Sequence, residues 1–397
     1  FFGLLLISLS VLNIYASGAR QGYVSLAIGC SPILVYLLFK KAKILGLAGL
    51  GVTVSGMLLF ILGLFQSGPL ADIVYKQSVS YRGDFWRTAF NMIRENPLFG
   101  AGFERFGVNY RSYRDLPQVL RNGVDAYSDN AHNLYLQFAA TGGLILALIY
   151  LALNIYIGYC FVKKFKTAPE NSYFYTSVFA IWITIQAQSL ISVDTPAIAL
   201  WGCVFAGFNC SQQINQEIKS KDFSPSKIVG AISVMAFSVL SIFQLNAQTS
   251  MRNAFYLQIP KNDQKYADAK AEILLKAENH EPLNAEWPIL SANSLFQDEA
   301  FDQTISAAKR AINLDPKDYR GWYFLASAQE KLSKFNDAIK SREAAREIDP
   351  YNAENLLALG RNYKATNQTE KARELIAEIK SFAPNSAEYQ LAVKELI

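Results

Sequence analysis

Over its first 246 residues the chain alternates between long apolar runs and short polar connections. A membrane crossing takes about 20 apolar residues. Seven runs approach that length: 1–16, 22–39, 44–65, 132–162, 173–192, 195–211 and 227–246. The fourth is longer than a crossing needs, so it is expected to tilt or to begin outside the bilayer. From about Met251 the character changes to a soluble stretch rich in Ala, Lys, Glu and Asn. The chain therefore reads as all-α and in two parts. Residues 1–246 form a polytopic transmembrane helix bundle with a long loop at 66–131, and residues 247–397 form a soluble tail.

The tail repeats itself. Pro282, Pro316, Pro350 and Pro384 stand 34 residues apart, as do Phe301 and Phe335, and Asp315 and Asp349. That period resembles the tetratricopeptide repeat, a helix pair that buries its apolar face only against neighbouring pairs. Trp322–Ala326 and Leu356–Tyr363 match the first-helix pattern, and Trp287 starts it one repeat earlier. Ala308, Ala338 and Ala372 supply the small residues of the second helices. About three repeats are expected, with a partial one near 252–281. The pattern is specific for a fold and not for a ligand.

Charge then orients the membrane part. Lysines cluster beside apolar runs at Lys40, Lys41 and Lys43, at Lys163, Lys164 and Lys166, and at Lys219, Lys221 and Lys227. Such clusters mark cytoplasmic helix ends. With one crossing per run, residues 17–21, 66–131, 193–194 and the whole tail then face the other side, and the three assignments agree. The net charge of +5 comes with no basic patch interleaved with aromatics, so nucleic acid is not expected as a partner. Cys30, Cys160, Cys203 and Cys210 all lie in or at the end of apolar runs. They show neither metal-ligand spacing nor a disulfide pattern. Phe1 opens inside an apolar run without a basic n-region or cleavage site. The reading is therefore a C-terminal portion of a longer membrane protein, not a signal peptide.

The loop at 66–131 is long enough to carry function. Asp84 is placed to cap a helix that Pro97 ends after Asn96. Phe85, Trp86, Ala89, Phe90 and Ile93 share one face of it, and Arg87, Asn91, Arg94 and Glu95 the other. That division suits a helix on a membrane surface or one packed on protein. A glycine turn with aromatics follows at Pro97–Phe106, then a stretch with Tyr110, Arg111, Tyr113, Arg114 and Arg121. The chain has two histidines. His280, beside Glu281 and Pro282, reads as a surface residue of the tail. His132 sits at the outer mouth of the fourth run, on the side that also holds Arg20 and Arg82. Arginine at such a depth needs a task or a path to water.

Arg82–Trp86, Pro97–Phe103 and Ala131–Gln137 together resemble the O-antigen ligase and polymerase superfamily, which includes bacterial O-linked oligosaccharyltransferases. The Ser17–Arg20 and Ser192–Pro196 segments are similar to it as well. In that family a His followed by Asn, Ser or Gln precedes a glycine by about ten residues. His132-Asn133 and Gly142 or Gly143 fit. The small or aromatic residue expected three positions further on is Ile145 or Leu146 here, a departure that weakens assignment to the ligase branch.

The resemblance implies glycan transfer from an undecaprenyl-pyrophosphate-linked donor to an acceptor hydroxyl at the periplasmic face of a bacterial inner membrane. The acceptor would be lipid A core, another glycan or a protein. Arg20 and Arg82 suit the pyrophosphate leaving group, because guanidinium binds phosphate oxygens in pairs. His132 suits the base that takes the acceptor proton. Asp129 and Asp194 are orienting candidates, and Arg105, Tyr135 and Asn133 are candidates for contact with phosphate or sugar. No cofactor and no metal is called for, and direct attack would invert the anomeric carbon. A membrane scaffold that recruits periplasmic partners through its repeats is the non-enzymatic alternative.

Overall fold

A computed structural model describes residues 2–18, 20–64, 68–69, 77–167, 171–192, 195–210, 225–257 and 263–397. Among them all regular structure is helical. The chain divides into two compact units.

The first unit comprises residues 1–114 and 127–215. Its helices are α1 (Phe2–Ser17), α2 (Arg20–Lys41), α3 (Lys43–Leu64), α4 (Gln77–Glu95), α5 (Phe106–Tyr113), α7 (Leu134–Thr167), α8 (Ser172–Ser189) and α9 (Pro196–Cys210). Lys40 and Lys41 close α2 and Lys43 opens α3, so the first lysine cluster is the corner of a helical hairpin. Helices α2 and α8 pack closely because Gly29 lacks a side chain: a Cβ there would lie 2.0 Å from Thr184 Oγ1. Ser25 Oγ donates to Gln188 Oε1 at 3.1 Å, and Tyr36 OH lies 2.5 Å from Ser172 Oγ. Small residues and interhelical hydrogen bonds of this kind hold helices together where lipid removes any hydrophobic driving force between them.

The amphipathic helix starts earlier than its capping signal suggests. Asp84 is not a cap: α4 begins two turns before it, and Asp84 is buried inside the helix. Gly83, the one weak helix former nearby, costs only about 1 kcal/mol in a helix interior, too little to end a helix held by packing. Ala89 and Met92 are fully buried, in a core shared with Phe106, Tyr110, Ala131 and Ala140. That part of the apolar face meets protein, while Phe90 is exposed.

The fourth apolar run is one broken helix. Inside α7, Gly143 takes φ 82° and ψ 170°, outside the helical region. The break frees the carbonyls of Ala140 and Thr141, and the loop after α4 takes them over. Ala101 N–H donates to Ala140 O at 2.8 Å, and Gly102 N–H to Thr141 O at 3.0 Å. In return Leu144 N–H donates to Pro97 O at 2.8 Å. A Cβ on Gly143 would lie 2.0 Å from Leu98 O, and one on Gly100 would lie 2.4 Å from Thr141 C. Both glycines also have positive φ, so the docking needs glycine for space and for conformation.

The second unit comprises residues 115–126 and 216–397. It holds α6 (Leu116–Asn122), α10 (Pro225–Tyr256) and eight tail helices: α11 (Gln264–Glu278), α12 (Glu286–Gln297), α13 (Phe301–Leu314), α14 (Tyr319–Lys331), α15 (Phe335–Ile348), α16 (Ala353–Ala365), α17 (Thr369–Phe382) and α18 (Ala387–Leu396). Helix α10 continues unbroken past residue 246. The pairs α12–α13, α14–α15 and α16–α17 are the three expected repeats, and Ala308, Ala338 and Ala372 are fully buried in their second helices.

The period extends to the backbone. Glu299, Ser333 and Asn367, 34 residues apart, all have positive φ. After each, an N–H reaches back five residues: Ala300 to Leu295 O, Lys334 to Gln329 O and Gln368 to Tyr363 O. These are Schellman closures of each first helix. Salt bridges also span about one repeat, as in Arg320–Glu286 and Arg346–Glu378. Helix α6 is a complete small element, capped by the Asp115 side chain at one end and by Gly123 at φ 88° at the other. It packs on α17, and Val119, 2% exposed, belongs to the core of the last repeat with Leu356, Leu375 and Phe382.

Four described helices are long and apolar enough to cross a membrane: Gly22–Lys41, Lys43–Phe60, Leu134–Thr167 and Ala231–Tyr256. The other three runs are helical too, as α1, α8 and α9, but shorter or more polar.

Candidate functional site

The candidate site is built where α4 passes the turn that leads into α7. That turn is self-sustaining. Ser128 Oγ donates to Asn130 O at 2.7 Å, and Asn130 Oδ1 accepts from His132 N–H at 2.9 Å. Gln137 Oε1 reaches back to accept from Ala131 N–H at 2.9 Å. Asn133 caps α7, its Oδ1 accepting from Leu136 N–H at 3.0 Å. Between these bonds His132 is held at φ 49°, in the left-handed region few non-glycine residues adopt. Such backbone strain persists only where the surroundings fix it.

The imidazole stacks on Phe85, ring centroids 5.5 Å apart and planes 27° apart. Phe85 follows Arg82 by three residues, so both lie on one face of α4. Burial is the main force holding the His132 pKa below its ordinary value; the positive charge of Arg82 adds to it, and Asp129 opposes it. Burial also lowers the Arg82 pKa, from a value so high that the guanidinium stays charged. Asp129 Oδ1 accepts from Asn130 Nδ2 at 2.6 Å. Arg82, His132 and Asp129 therefore form one electrostatic group. It presents a neutral imidazole beside a permanent cation, which can accept a proton while the cation faces an anion.

The remaining candidates are placed differently. Asn133 Nδ2 donates to Leu190 O at 3.0 Å. Tyr135 OH donates to Gln186 Oε1 at 2.9 Å, and its ring lies 5.2 Å from that of Tyr150. These two residues anchor the turn to the end of α8. Arg105 stands at the N-terminus of α5, where the docked loop ends. Arg20 is the first residue of α2, and its side chain falls outside the described residues, as does Asp194. Tyr110 and Tyr113 are core residues; Tyr113 OH accepts from Asn96 Nδ2 at 2.9 Å. Burial, the largest influence, pushes the Tyr113 phenol up.

Sequence reasoning missed Phe85 as the platform under the imidazole, Gln186 as the anchor of Tyr135, and Asp84 as a buried carboxylate. Only the spacing of Phe85 from Arg82 carried a usable signal. Among the described residues, no three His, Cys, Asp or Glu side chains gather as a metal site would need.

Comparison with known proteins gives two partial matches to family models. Residues 5–151 match the family model described as O-antigen ligase, and residues 331–396 match a tetratricopeptide-repeat model. Arg20, Arg82, Arg105, Asp129, His132, Asn133 and Tyr135 all fall inside the first match, and Asp194 outside it. No curated protein matches the chain. Among solved structures, the chain is similar to a MamA crystal structure at 20% identity and TM-score 0.29, over 33% of this chain and 79% of that one. It is also similar to MamA (residues 41 to the end) from Desulfovibrio magneticus RS-1, at 16% identity and TM-score 0.31, over 40% and 85%. The repeat fold rests on the helix pairs themselves. The match to the O-antigen ligase model thus lies in the apolar part of the chain, and the match to the tetratricopeptide model lies in the tail.

Proposed function

From an O-antigen ligase region that contains the His132 group, we propose that the protein transfers a glycan from an undecaprenyl-pyrophosphate carrier to an acceptor hydroxyl, on the periplasmic side of a bacterial inner membrane. The observation that carries this reading is the His132 turn. It holds an imidazole on a strained backbone, stacked on Phe85 and kept neutral by burial and by Arg82. A neutral imidazole can take the acceptor proton as the hydroxyl attacks the anomeric carbon, a contribution of roughly a hundred- to ten-thousand-fold. Arg82, and Arg20 at the head of α2, stabilise the charge that grows on the departing pyrophosphate. Each such donor contributes about 3–4 kcal/mol in other enzymes. The reaction is a single displacement, metal-independent and inverting. Asp129 orients the turn and Arg105 lies ready for phosphate or sugar.

The side assignment draws support from α6. This piece of the 66–131 loop packs into the last repeat, as it must if loop and tail share one side of the membrane, which the lysine clusters also require. The acceptor is lipid A core, a second glycan (polymerase) or a protein (O-oligosaccharyltransferase), and the repeats present or recruit it.

The test is glycan transfer in cells expressing the full-length protein, wild type against His132→Ala, with surface polysaccharide and periplasmic glycoprotein both measured. Loss of one product at normal membrane levels supports the base and identifies the acceptor class. Unchanged transfer of every product removes His132 from the chemistry and favours the scaffold.

A further inference from the structure

The loop docked into the break of α7 is satisfied on its backbone side and bare on the other. Gly100 N–H donates to Asn96 O at 3.0 Å, and Ala101 and Gly102 donate to α7. Its outer side chains are apolar and exposed: Leu98 57%, Phe99 79% and Phe103 60%. Beside them Leu144 and Ile145 are exposed as well. The bond from Leu144 N–H to Pro97 O and the stacking of Phe103 on Phe138, ring centroids 6.3 Å apart, place these residues beside one another as an exposed apolar edge, and Leu148 and Ile149 further along the helix are exposed as well.

The depth of this edge follows from the sequence. Leu144 to Val162 are the nineteen residues between the break and the lysines that end the helix. Their rise is about 28 Å, close to the ~30 Å of bilayer hydrocarbon. The break at Gly143 therefore falls where hydrocarbon meets headgroups. At that level an irregular backbone survives only if protein satisfies its polar groups, and the break in α7 does so here. Aromatic side chains also concentrate at this boundary.

We propose that Pro97–Phe103 is a lipid-facing wedge. Leu98, Phe99 and Phe103 insert among the outer acyl chains of the bilayer and seat the end of α4 and the start of α7 at headgroup level. The wedge explains why a loop of a folded domain keeps three large apolar side chains uncovered, and why the fourth apolar run is too long for one crossing. It rests on the assignment of α7 as a membrane span and not on the transfer reaction. A carrier whose pyrophosphate lies at the same level would meet Arg82 without leaving the membrane.

The test uses the full chain with its four cysteines replaced, in nanodiscs of phospholipid without polyprenyl lipid. Single cysteines at Leu98, Phe99, Leu148 and Leu283 carry a nitroxide, and collision with oxygen is compared with collision with a water-soluble nickel chelate. Leu148 is the hydrocarbon control, and Leu283, exposed in the tail, is the water control. All are exposed positions, so labelling leaves the core intact. The wedge requires Leu98 and Phe99 to favour oxygen severalfold over nickel, as Leu148 does and Leu283 does not. Preference for nickel puts the loop in water and overturns the proposal. Protection from both reagents overturns it too, by showing protein on that face. Nickel access at Leu148 would remove the span, and the wedge with it. None of these outcomes depends on glycan transfer, so the wedge and the proposed reaction stand or fall separately.

Discussion

At the scale of single residues, the His132 turn makes its predictions through charge. A base works only when neutral. With its pKa held below the ordinary 6.5 by burial and by Arg82, the imidazole is neutral at pH 7. Transfer should therefore be flat above pH 7 and fall on the acid side, with its midpoint under about 6.5. Arg82→Gln removes a charge that disfavours the protonated ring, so the acid limb of kcat/KM should move to higher pH; the rate itself should fall roughly a hundredfold or more through loss of phosphate stabilisation. Asp129→Asn removes the opposing charge, so its limb should move to lower pH. A pH–rate series on the three proteins checks both signs, and limbs that stay in place would show that the ring does not titrate in the reaction. His132 stands out in the sequence as a candidate because histidine is scarce and this one lies at the mouth of an apolar run. Phe85 was not, because an aromatic on an apolar helix face ordinarily belongs to a core. The positive φ was not either, because it follows from bonds made by Asn130 and Gln137, whose partners only the folded turn defines.

At the scale of elements, the docking of loop into broken helix should be intolerant at one glycine and tolerant at its neighbour. Gly143→Ala puts a Cβ against the Leu98 carbonyl and into a positive-φ conformation. At ψ 170° this is a region that essentially only glycine adopts, which costs about 1–3 kcal/mol for another residue, and a backbone atom cannot step aside. Gly142→Ala meets only the Leu146 side chain, at 2.3 Å from Cδ2 and 3.3 Å from Cβ and Cγ, and that side chain can turn and give by a few tenths of an ångström. Unfolding in detergent should show Gly143→Ala destabilised by about 2 kcal/mol or more and Gly142→Ala close to wild type; equal losses would mean that the loop is not seated as described. The break was hidden in the sequence because apolar residues continue through it, and glycine is common in membrane helices. The repeats, by contrast, were legible to the residue, since the 34-residue period is imposed by identical packing at every step. Helix α6 makes the second element-scale prediction. Val119→Asp puts a carboxylate into the core of the last repeat and forfeits about 1.5–3 kcal/mol of side-chain burial. Trypsin should then cut the full chain after Arg121 much faster than it cuts wild type. An unchanged cutting rate would show that α6 is not held there.

At the scale of the whole molecule, the seven helical runs and the repeat tail followed from hydropathy and period alone. The membership of residues 115–126 in the repeat unit did not, because Leu116, Val119 and Val124 sit in a short polar-flanked stretch with too few turns to show a periodicity. That membership changes how the role of the tail must be tested. Removing residues 263–397 takes away a proposed acceptor platform, but it also uncovers the apolar face of α6, which lies in the loop that leads into His132. Loss of transfer after such a deletion would be ambiguous. Combining the deletion with Leu116→Ser, Val119→Ser and Val124→Ser resolves it, since a polar α6 no longer needs the cover. If the repeats recruit the acceptor, the combined variant should insert at normal levels and hydrolyse or transfer from the carrier to a small soluble acceptor, yet fail with the native one. If the repeats only cover α6, the combined variant should recover native transfer and the simple deletion should not. Measuring both acceptors on both variants therefore decides whether the tail selects the acceptor or stabilises the loop that leads into the proposed site.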